Sequence, residues 1–422
     1  MRILLILPEF PPSFGGMQTH ATYLSRYLNK MGCEIVVITY RITEQKQQKE
    51  ATKYDDSEDF PIHRVMSRIG FWFNIETLTE LVKSFKPDIV YSSTVYYGLL
   101  RKYTSVPVVC RSVGNDLMRP WLGYPYNTGK KVFTNYQLEK IVDYCAHNMD
   151  YPAWVETAFS DRRFAVMREA AISADLILAN SNFTADTLRH IGVESAKVDV
   201  LVGGVESDRF RNQSQNRLNL RRELNLPQDK FVLLTACRLV AKKGIDLLLR
   251  AIGTLRATIP NIHLVIVGDG KYKKKYQELS DSLALTDSIT FAGKIPHEEI
   301  HQYYWACDLF VLASRTTVDS SSRLKDAETM GRVLCEANAA GIPVIASDSG
   351  GIPSIITHGS NGLLFAEHDL EDLIKQVNRI YLKQDLSEKL VENGYSKAKE
   401  IFDWTVVLQY HLRIFAELTC KT

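Results

Sequence analysis

The chain has 422 residues, 45% hydrophobic and 24% charged, with 51 Lys+Arg against 49 Asp+Glu for a net charge of +2. At about 100–200 residues per domain this length predicts two or three domains, and the composition excludes a disordered chain, a collagen and a small disulfide scaffold. Charge so near balance supplies no global field for nucleic acid or a membrane surface, so no nucleic-acid partner is expected.

The N-terminus, Met1 to Pro8, carries one positive charge and too short an apolar run for a signal peptide. No run approaches the ~18–20 apolar residues of a membrane span, so a soluble cytoplasmic protein is expected. The seven cysteines (33, 110, 145, 237, 307, 335 and 420) are dispersed without a C-x-x-C pair. That pattern points to a reducing compartment and to cysteines used as small core hydrophobes, and away from a zinc knuckle.

Short apolar runs rich in Ile and Val, too brief for helices, recur along the chain. In the first half they are Ile3–Leu7, Glu34–Thr39, Asp88–Ser92, Val106–Cys110, Asp175–Ala179 and Val198–Val202. In the second half they are Phe231–Ala236, His263–Gly268, Ser288–Ala292, Asp308–Ala313, Pro343–Ser347 and Leu363–Phe365. Longer segments between them, such as His20–Met31, Ile245–Thr254 and Leu370–Tyr381, have helical periodicity. Continuous apolar strands separated by helices predict parallel sheets covered on both faces. Two such series, parted by a polar stretch near Ser207–Gln228, predict an α/β chain of two doubly wound Rossmann-like domains, residues 1–204 and 205–403. Ligands then bind at the carboxyl ends of the strands where strand order reverses, and the cleft between two facing domains is the expected active site. No Asp-x-Asp lies at a strand end, and Asp55, Asp56 and Asp59 fall in a polar loop after the second strand, so no metal site is expected.

From Trp121 to Phe164, 44 residues hold ten aromatics without a strand run, about twice the chain's density of 10%. This reads as helices inserted in the first domain. Their rings either pack a small helical lid or form an acceptor wall, since aromatic faces stack on sugar rings and lipid-linked heads.

Several motifs carry chemistry. Gly15-Gly16 stands at a strand-to-helix turn, where bare backbone either approaches a ligand beneath a positive helix end or only satisfies a turn needing positive φ. Gly268-Asp269-Gly270 begins a G-x-G-x-x-G pattern, but Lys273 stands in place of the third glycine, which disfavours a nicotinamide dehydrogenase. Arg238 and Lys243 lie on the loop leaving the first strand of the second domain. A planar fork and a point charge there suit a pyrophosphate; the alternative is a solvated basic loop. Glu328 and Glu336 have seven residues between them, with Gly331 just inside the first and an Ala-rich helix ending at Gly341. A helix starting near Met330 offers free amides to a phosphate or sugar hydroxyl and puts Glu336 about 9 Å along its axis, roughly from a phosphate to the far side of a ribose.

The segment from Arg238 to Phe365 resembles the retaining glycosyltransferases of family four, with the GT-B fold, and the likeness covers nearly the whole chain. It includes the Gly15-Gly16 loop, Lys86-Pro87-Asp88-Ile89-Val90, the stretch Ala174 to Ser181, and Gly203-Gly204-Val205. The resemblance implies that Arg238 and Lys243 bind the donor pyrophosphate and stabilise the leaving nucleoside diphosphate. It implies that Glu336 holds the ribose, and that Glu328 holds the transferred sugar with the amides of Met330, Gly331, Arg332 and Val333. Gly15 and Gly16 would close over sugar and phosphates. Gly293, Lys294 and Ile295 would form the turn under the nucleobase. Trp404 and the final helix, 404–422, would be the tail that crosses back to the first domain. Where many family members carry a histidine after the strand at Val106–Cys110, this chain has Val113, so that contact passes to Arg111, Asn115 or Asp116 or is absent. His20, at the start of the first helix, either faces the ligand or is a solvated cap.

As a whole, rather than through one motif, the chain resembles bacterial envelope-polysaccharide members, cyanobacterial ones among them. That implies a nucleotide-sugar donor, UDP-glucose first, then UDP-linked galactose, N-acetylglucosamine or glucuronate, and GDP-mannose. It implies a saccharide or lipid-linked oligosaccharide acceptor met at the inner face of the membrane, no cofactor, no metal and an α-linked product. A sugar-nucleotide epimerase of the same fold is the alternative. A glycan phosphorylase would need a lysine-bound pyridoxal group and a much longer chain, and a periplasmic binding protein a secretion signal.

Overall fold

The computed structural model describes residues 1–13, 15–42, 44–120, 122–148, 152–211, 216–317 and 326–420. Two compact units divide them. One comprises Met1–Asn180, Thr184–Leu201 and Leu408–Thr422, the other Ser181–Phe183 and Val202–Val407.

The first unit is built on seven strands: β1 Arg2–Ile6, β2 Glu34–Tyr40, β3 Ile62–Met66, β4 Ile89–Ser92, β5 Val108–Ser112, β6 Leu176–Ala179 and β7 Val198–Val200. They are all parallel, in the order β3-β2-β1-β4-β5-β6-β7. Ile3 to Ile6 are wholly buried, because helices cover both faces of the central strand, and Leu4 sits in register between Val36 and Val90. The second unit repeats the plan with β8 Phe231–Ala236, β9 Ile262–Val267, β10 Ile289–Gly293, β11 Leu309–Leu312, β12 Val344–Asp348 and β13 Leu363–Ala366, parallel in the order β10-β9-β8-β11-β12-β13. Strand order reverses between β1 and β4 in one unit and between β8 and β11 in the other, as doubly wound sheets require.

Three elements depart from the sequence expectation. Edge strand β3 interleaves His63 and Arg64 with its apolar residues, so it lacks the continuous apolar run that marks a strand covered on both faces. The polar loop expected to hold Asp55 begins instead as a helix, Gln45–Asp55, and Asp55 receives Arg64 through two hydrogen bonds of 2.8 Å. The polar stretch near Ser207–Gln228 contains two short helices, Ser207–Phe210 and Arg217–Glu223. They anchor to the second unit through buried Phe210 and through Arg217 and Arg221, each 2.6 Å from Asp308.

Trp121 and Tyr151 lie outside the described residues. The rest of the aromatic stretch forms a 3₁₀ turn, Lys130–Thr134, and helices Tyr136–Asn148 and Ala153–Ser173. Its inner rings pack together, Tyr124 against Tyr126, Phe133 and Phe159 at 5.9–6.4 Å, whereas Ile141, Tyr144 and Trp154 are exposed. Cys33, Cys110, Cys307 and Cys335 are buried, and every cysteine is a free thiol. No described helix is long and apolar enough to cross a membrane.

One glycine fixes the start of the helix Ile245–Leu255. Gly244 has φ 62°, and a Cβ there would stand 1.9 Å from the carbonyl oxygen of Ala313. Gly253, in the same helix, has nothing within 4 Å of its Cβ position. Gly244→Ala should therefore destabilise the protein by about 2 kcal/mol or more, while Gly253→Ala should stabilise it by about 0.5–1 kcal/mol. Paired denaturant titrations check the opposite signs.

Candidate functional site

The site begins at the carboxyl end of β8. The chain leaves through Cys237 and Arg238, makes the 3₁₀ turn Ala241–Lys243, and enters the helix at Gly244. That turn sends two consecutive lysines to one neighbouring segment. Lys242 Nζ donates to Asp326 Oδ1 at 2.9 Å and to the Ala327 carbonyl at 3.2 Å. Lys243 Nζ pairs with Glu328 Oε2, and these two side chains are only 12% and 14% exposed. The receiving segment is held to the exit of β11 by a two-way backbone bridge between Thr317 and Asp326, at 2.7 and 2.9 Å. Gly351 N–H caps the Glu328 carbonyl at 2.7 Å.

Burial pushes the Glu328 carboxyl up, but the charge and hydrogen bond of Lys243, helped by Lys242 and Ser314, more than offset it and hold the group below the ordinary carboxylate range. Burial likewise pulls the Lys243 ammonium down, and Glu328 overrides it, so the lysine ends above its ordinary value. The pair is ionised at neutral pH. Arg238 is exposed and, among the described residues, pairs with no carboxylate. The two expected cations thus differ: one is committed to Glu328, the other open to solvent.

The second carboxylate lies one helix turn beyond a bend in the chain. Gly331, at φ 82° and ψ 57°, is the N-cap of the helix Arg332–Ala340, so the helix starts two residues later than Met330. Met330 is buried in the core ahead of the cap. Leu334 N–H closes on the Gly331 carbonyl at 2.8 Å, and the first-turn amides of Arg332 and Val333 have no partner within the helix. Glu336 is 3% exposed. Its Oε2 accepts from the Tyr304 hydroxyl at 3.0 Å; its Oε1 lies 3.4 Å from His297 Nε2 and 3.6 Å from Arg332 Nε. Burial raises this carboxyl too, and His297, Arg332 and Tyr304 together bring it below its ordinary value.

Sequence reasoning missed His297 and Tyr304. A lone histidine after Gly293-Lys294-Ile295 and a tyrosine on a short aromatic helix carry no spacing signal; only the fold brings them to Glu336. Gly293 ends β10 at φ 75°, with its carbonyl accepting from Gly268 N–H at 2.7 Å. Lys294 is exposed, and Ile295 packs on the core of its unit.

In the first unit, Gly15 is the N-cap and Gly16 the first residue of the helix Gly16–Lys30, which follows β1 at the reversal of strand order. Gln18 steadies the turn by donating to Glu9 Oε2 at 2.8 Å. His20 is neither a helix-start residue nor a solvated cap: it lies in the second turn, 2% exposed, with its ring 5.2 Å from that of His411. Arg111 is buried within β5, and Asn115 is exposed at the start of a short helix. Asp116 is buried and already engaged, accepting from Ser112 Oγ at 2.8 Å and Val95 N–H at 3.1 Å. Burial pushes its carboxyl above the ordinary range, and those bonds only partly offset the rise.

Known proteins share this fold and parts of this sequence. Residues 14–209 match the family described as Glycosyltransferase Family 4, and residues 216–397 the family described as Glycosyl transferases group 1. The GDP-mannose-dependent alpha-(1-6)-phosphatidylinositol monomannoside mannosyltransferase of Mycobacterium tuberculosis is 30% identical over 221 residues, 52% of this chain and 56% of that protein. The chain thus spans little more than half the length of that relative. Sulfoquinovosyl transferase SQD2 of Arabidopsis thaliana is 26% identical over 419 residues, covering 96% of this chain and 71% of its own. Among solved structures, the Anabaena protein HepE in complex with UDP has the same fold, with a TM-score of 0.73 at 18% identity over 99% of this chain and 100% of that one. With both halves matched and two parallel α/β units in place, the chain belongs to the family-four glycosyltransferases of GT-B fold.

Because the folded Glu328 and Glu336 carboxyls sit below their unfolded values, each contributes stability that is complete above an unfolded pKa of about 4.3 and lost as pH falls through the lower folded value. Lys243→Met removes the largest offset to Glu328 burial. The variant should lose about 3–5 kcal/mol at neutral pH, and its thermal midpoint should fall, relative to wild type, as pH rises from about 4 to 7. Adding Glu328→Gln should remove that slope. A loss independent of pH would contradict the pairing.

Proposed function

We propose that the chain is a retaining hexosyltransferase. It moves glucose from UDP-glucose to a saccharide or lipid-linked oligosaccharide, forms an α-linkage in polysaccharide biosynthesis, and works in the cytoplasm in peripheral contact with the inner membrane face. The observation that carries this reading is the pair Glu328 and Glu336: two ionised, nearly buried carboxylates on one segment, flanking a helix start with free amides, each already fixed by basic or phenolic donors. Carboxylates so held accept from hydroxyls, and the amides between them suit phosphate. The UDP bound by the Anabaena neighbour supports a uridine nucleotide. The name of the mycobacterial relative favours GDP-mannose as the second reading.

In this reading the bond between the donor's C1 and the β-phosphate oxygen breaks while the acceptor oxygen bonds to C1 on the same face, and the leaving phosphate takes the acceptor proton. Arg238, which pairs with no carboxylate among the described residues, meets the growing phosphate charge. Lys243 has three N–H donors, so it can keep Glu328 and still turn one to the phosphate. Two cations and the helix amides offset the charge without a divalent ion. Neither glutamate serves as the paired carboxylate of a glycosidase, which must flank the scissile bond.

Incubation with a panel of sugar nucleotides, read by NMR, tests the reading. Slow release of nucleoside diphosphate and free sugar, undiminished by excess chelator, and an α-linked product with acceptor are expected. An epimerised sugar nucleotide, a β-linked product or a strict divalent-metal requirement would contradict it. Arg238→Ala should lower kcat by ~10²–10³, because its bond strengthens as the phosphate departs, whereas Glu336→Ala should mainly raise the donor KM. An Arg238→Ala enzyme with near-normal kcat would reduce that loop to a solvated surface.

A further inference from the structure

The helix Tyr136–Asn148 is built the wrong way round for one packed on an apolar core. Glu139 is buried, accepting from Ser67 Oγ at 2.5 Å and Arg41 Nη2 at 2.7 Å. Leu138, Ile141 and Tyr144, spaced by three residues and so on one face, are exposed. An amphipathic helix ordinarily buries such a stripe. Trp154, at the start of the next helix, Ala153–Ser173, is 73% exposed.

Between these two helices lies a cavity of about 260 Å³. Ile141, Val142 and Cys145 line it from one helix; Val155, Phe159 and Arg163, four residues apart and so on one face, line it from the other. Arg163 Nε donates to the Leu122 carbonyl at 2.8 Å and Nη2 to that of Gly123 at 3.4 Å. Among the described residues Arg163 pairs with no carboxylate. Glu156 also lines the cavity, but two turns away, about 10 Å along the helix axis. Burial pulls the Arg163 guanidinium below its ordinary value, and Glu156 and Tyr126 only partly offset this. The N–H donors left on Arg163 suit an anionic oxygen, and the remaining wall suits hydrocarbon.

We propose that this cavity holds the apolar chain of a lipid-phosphate acceptor, with the acceptor's phosphate at Arg163. The proposal rests on the acceptor half of the reading above and commits it to a lipid-linked saccharide. A second copy of the chain would cover the exposed stripe but leave Arg163 without an anion, and a bilayer surface would cover it without entering the cavity. An apolar cavity of about 150 Å³ takes benzene, so this one has room for about ten chain carbons. Each methylene drawn in from water is worth about fourfold in affinity.

The test is calorimetric binding of n-alkyl phosphates of increasing chain length to the full chain, below their micelle concentrations. Affinity should rise about fourfold per methylene and level off near ten carbons. Decyl phosphate should bind about tenfold or more tightly than the neutral decyl glucoside, and Arg163→Gln should erase that preference. Ile141→Asp, a change at an exposed position, should weaken decyl phosphate at least tenfold and leave UDP binding unchanged. If Arg163→Gln does not fold, the wild-type preference and Ile141→Asp carry the test. Affinity indifferent to chain length, or climbing without a break as in partition to a bilayer, would overturn the proposal. So would a dimer that Ile141→Asp dissociates in a protein that binds no alkyl phosphate. Sugar transfer to a free saccharide without alkyl-phosphate binding would overturn this site and keep the transferase, whereas saturable binding without transfer from any sugar nucleotide would keep the site and overturn the transferase reading.

Discussion

A carboxylate can be buried only where donors or cations already stand ready for it, and the second unit holds Glu328 and Glu336 in this way on one segment. That requirement organises the surrounding chain. It needs the turn after β8 to place Lys242 and Lys243 against residues 326–328, and Gly244 to let the helix begin without striking Ala313. It needs Gly331 in a left-handed conformation so that Glu336 enters the helix facing Tyr304 and His297. Each of these local features is ordinary alone. Together they leave two carboxylates that are ionised, desolvated and held in one geometry, which is what differential binding of a transition state requires.

The two units share a strand order but use its reversal point differently. In the first, the loop after β1 offers bare backbone at Gly15 and Gly16, and the buried carboxylate of Asp116 is consumed in tying β5 to the turn at Val95. In the second, the buried carboxylates keep unused acceptor capacity. One unit therefore presents backbone and the other ionised side chains, a division that follows from where each unit spends its buried polar groups.

The strands were legible because parallel sheets covered on both faces demand unbroken Val, Ile and Leu runs, as in Phe231–Ala236 and Ile3–Ile6. The same criterion passes over β3, whose edge position allows His63 and Arg64 among its apolar residues, and the helix Gln45–Asp55, where Ala51 is buried and residues 47–50, 52 and 53 are exposed. Glu328 and Glu336 could be singled out because a glycine and an Ala-rich helix gave their spacing a meaning. Tyr304 and His297 could not, since their relation to Glu336 spans 32 and 39 residues and exists only once β10, β11 and the intervening helix are folded. His20 shows the converse: a polar residue near a helix start reads as either a ligand contact or a solvated cap, and the neighbouring His411 on the final helix, which makes its place an interior one, removes the second.

The most direct measurement is a crystal structure of the protein with UDP-glucose or a non-transferable analogue. The ribose hydroxyls should lie within hydrogen-bond distance of the Glu336 carboxylate, with the pyrophosphate at Arg238, Lys243 and the amides of Arg332 and Val333, and the hexose at Glu328. A nucleotide bound with its ribose away from Glu336, or with its phosphates away from the loop after β8, would contradict the assignment of this segment as the donor site.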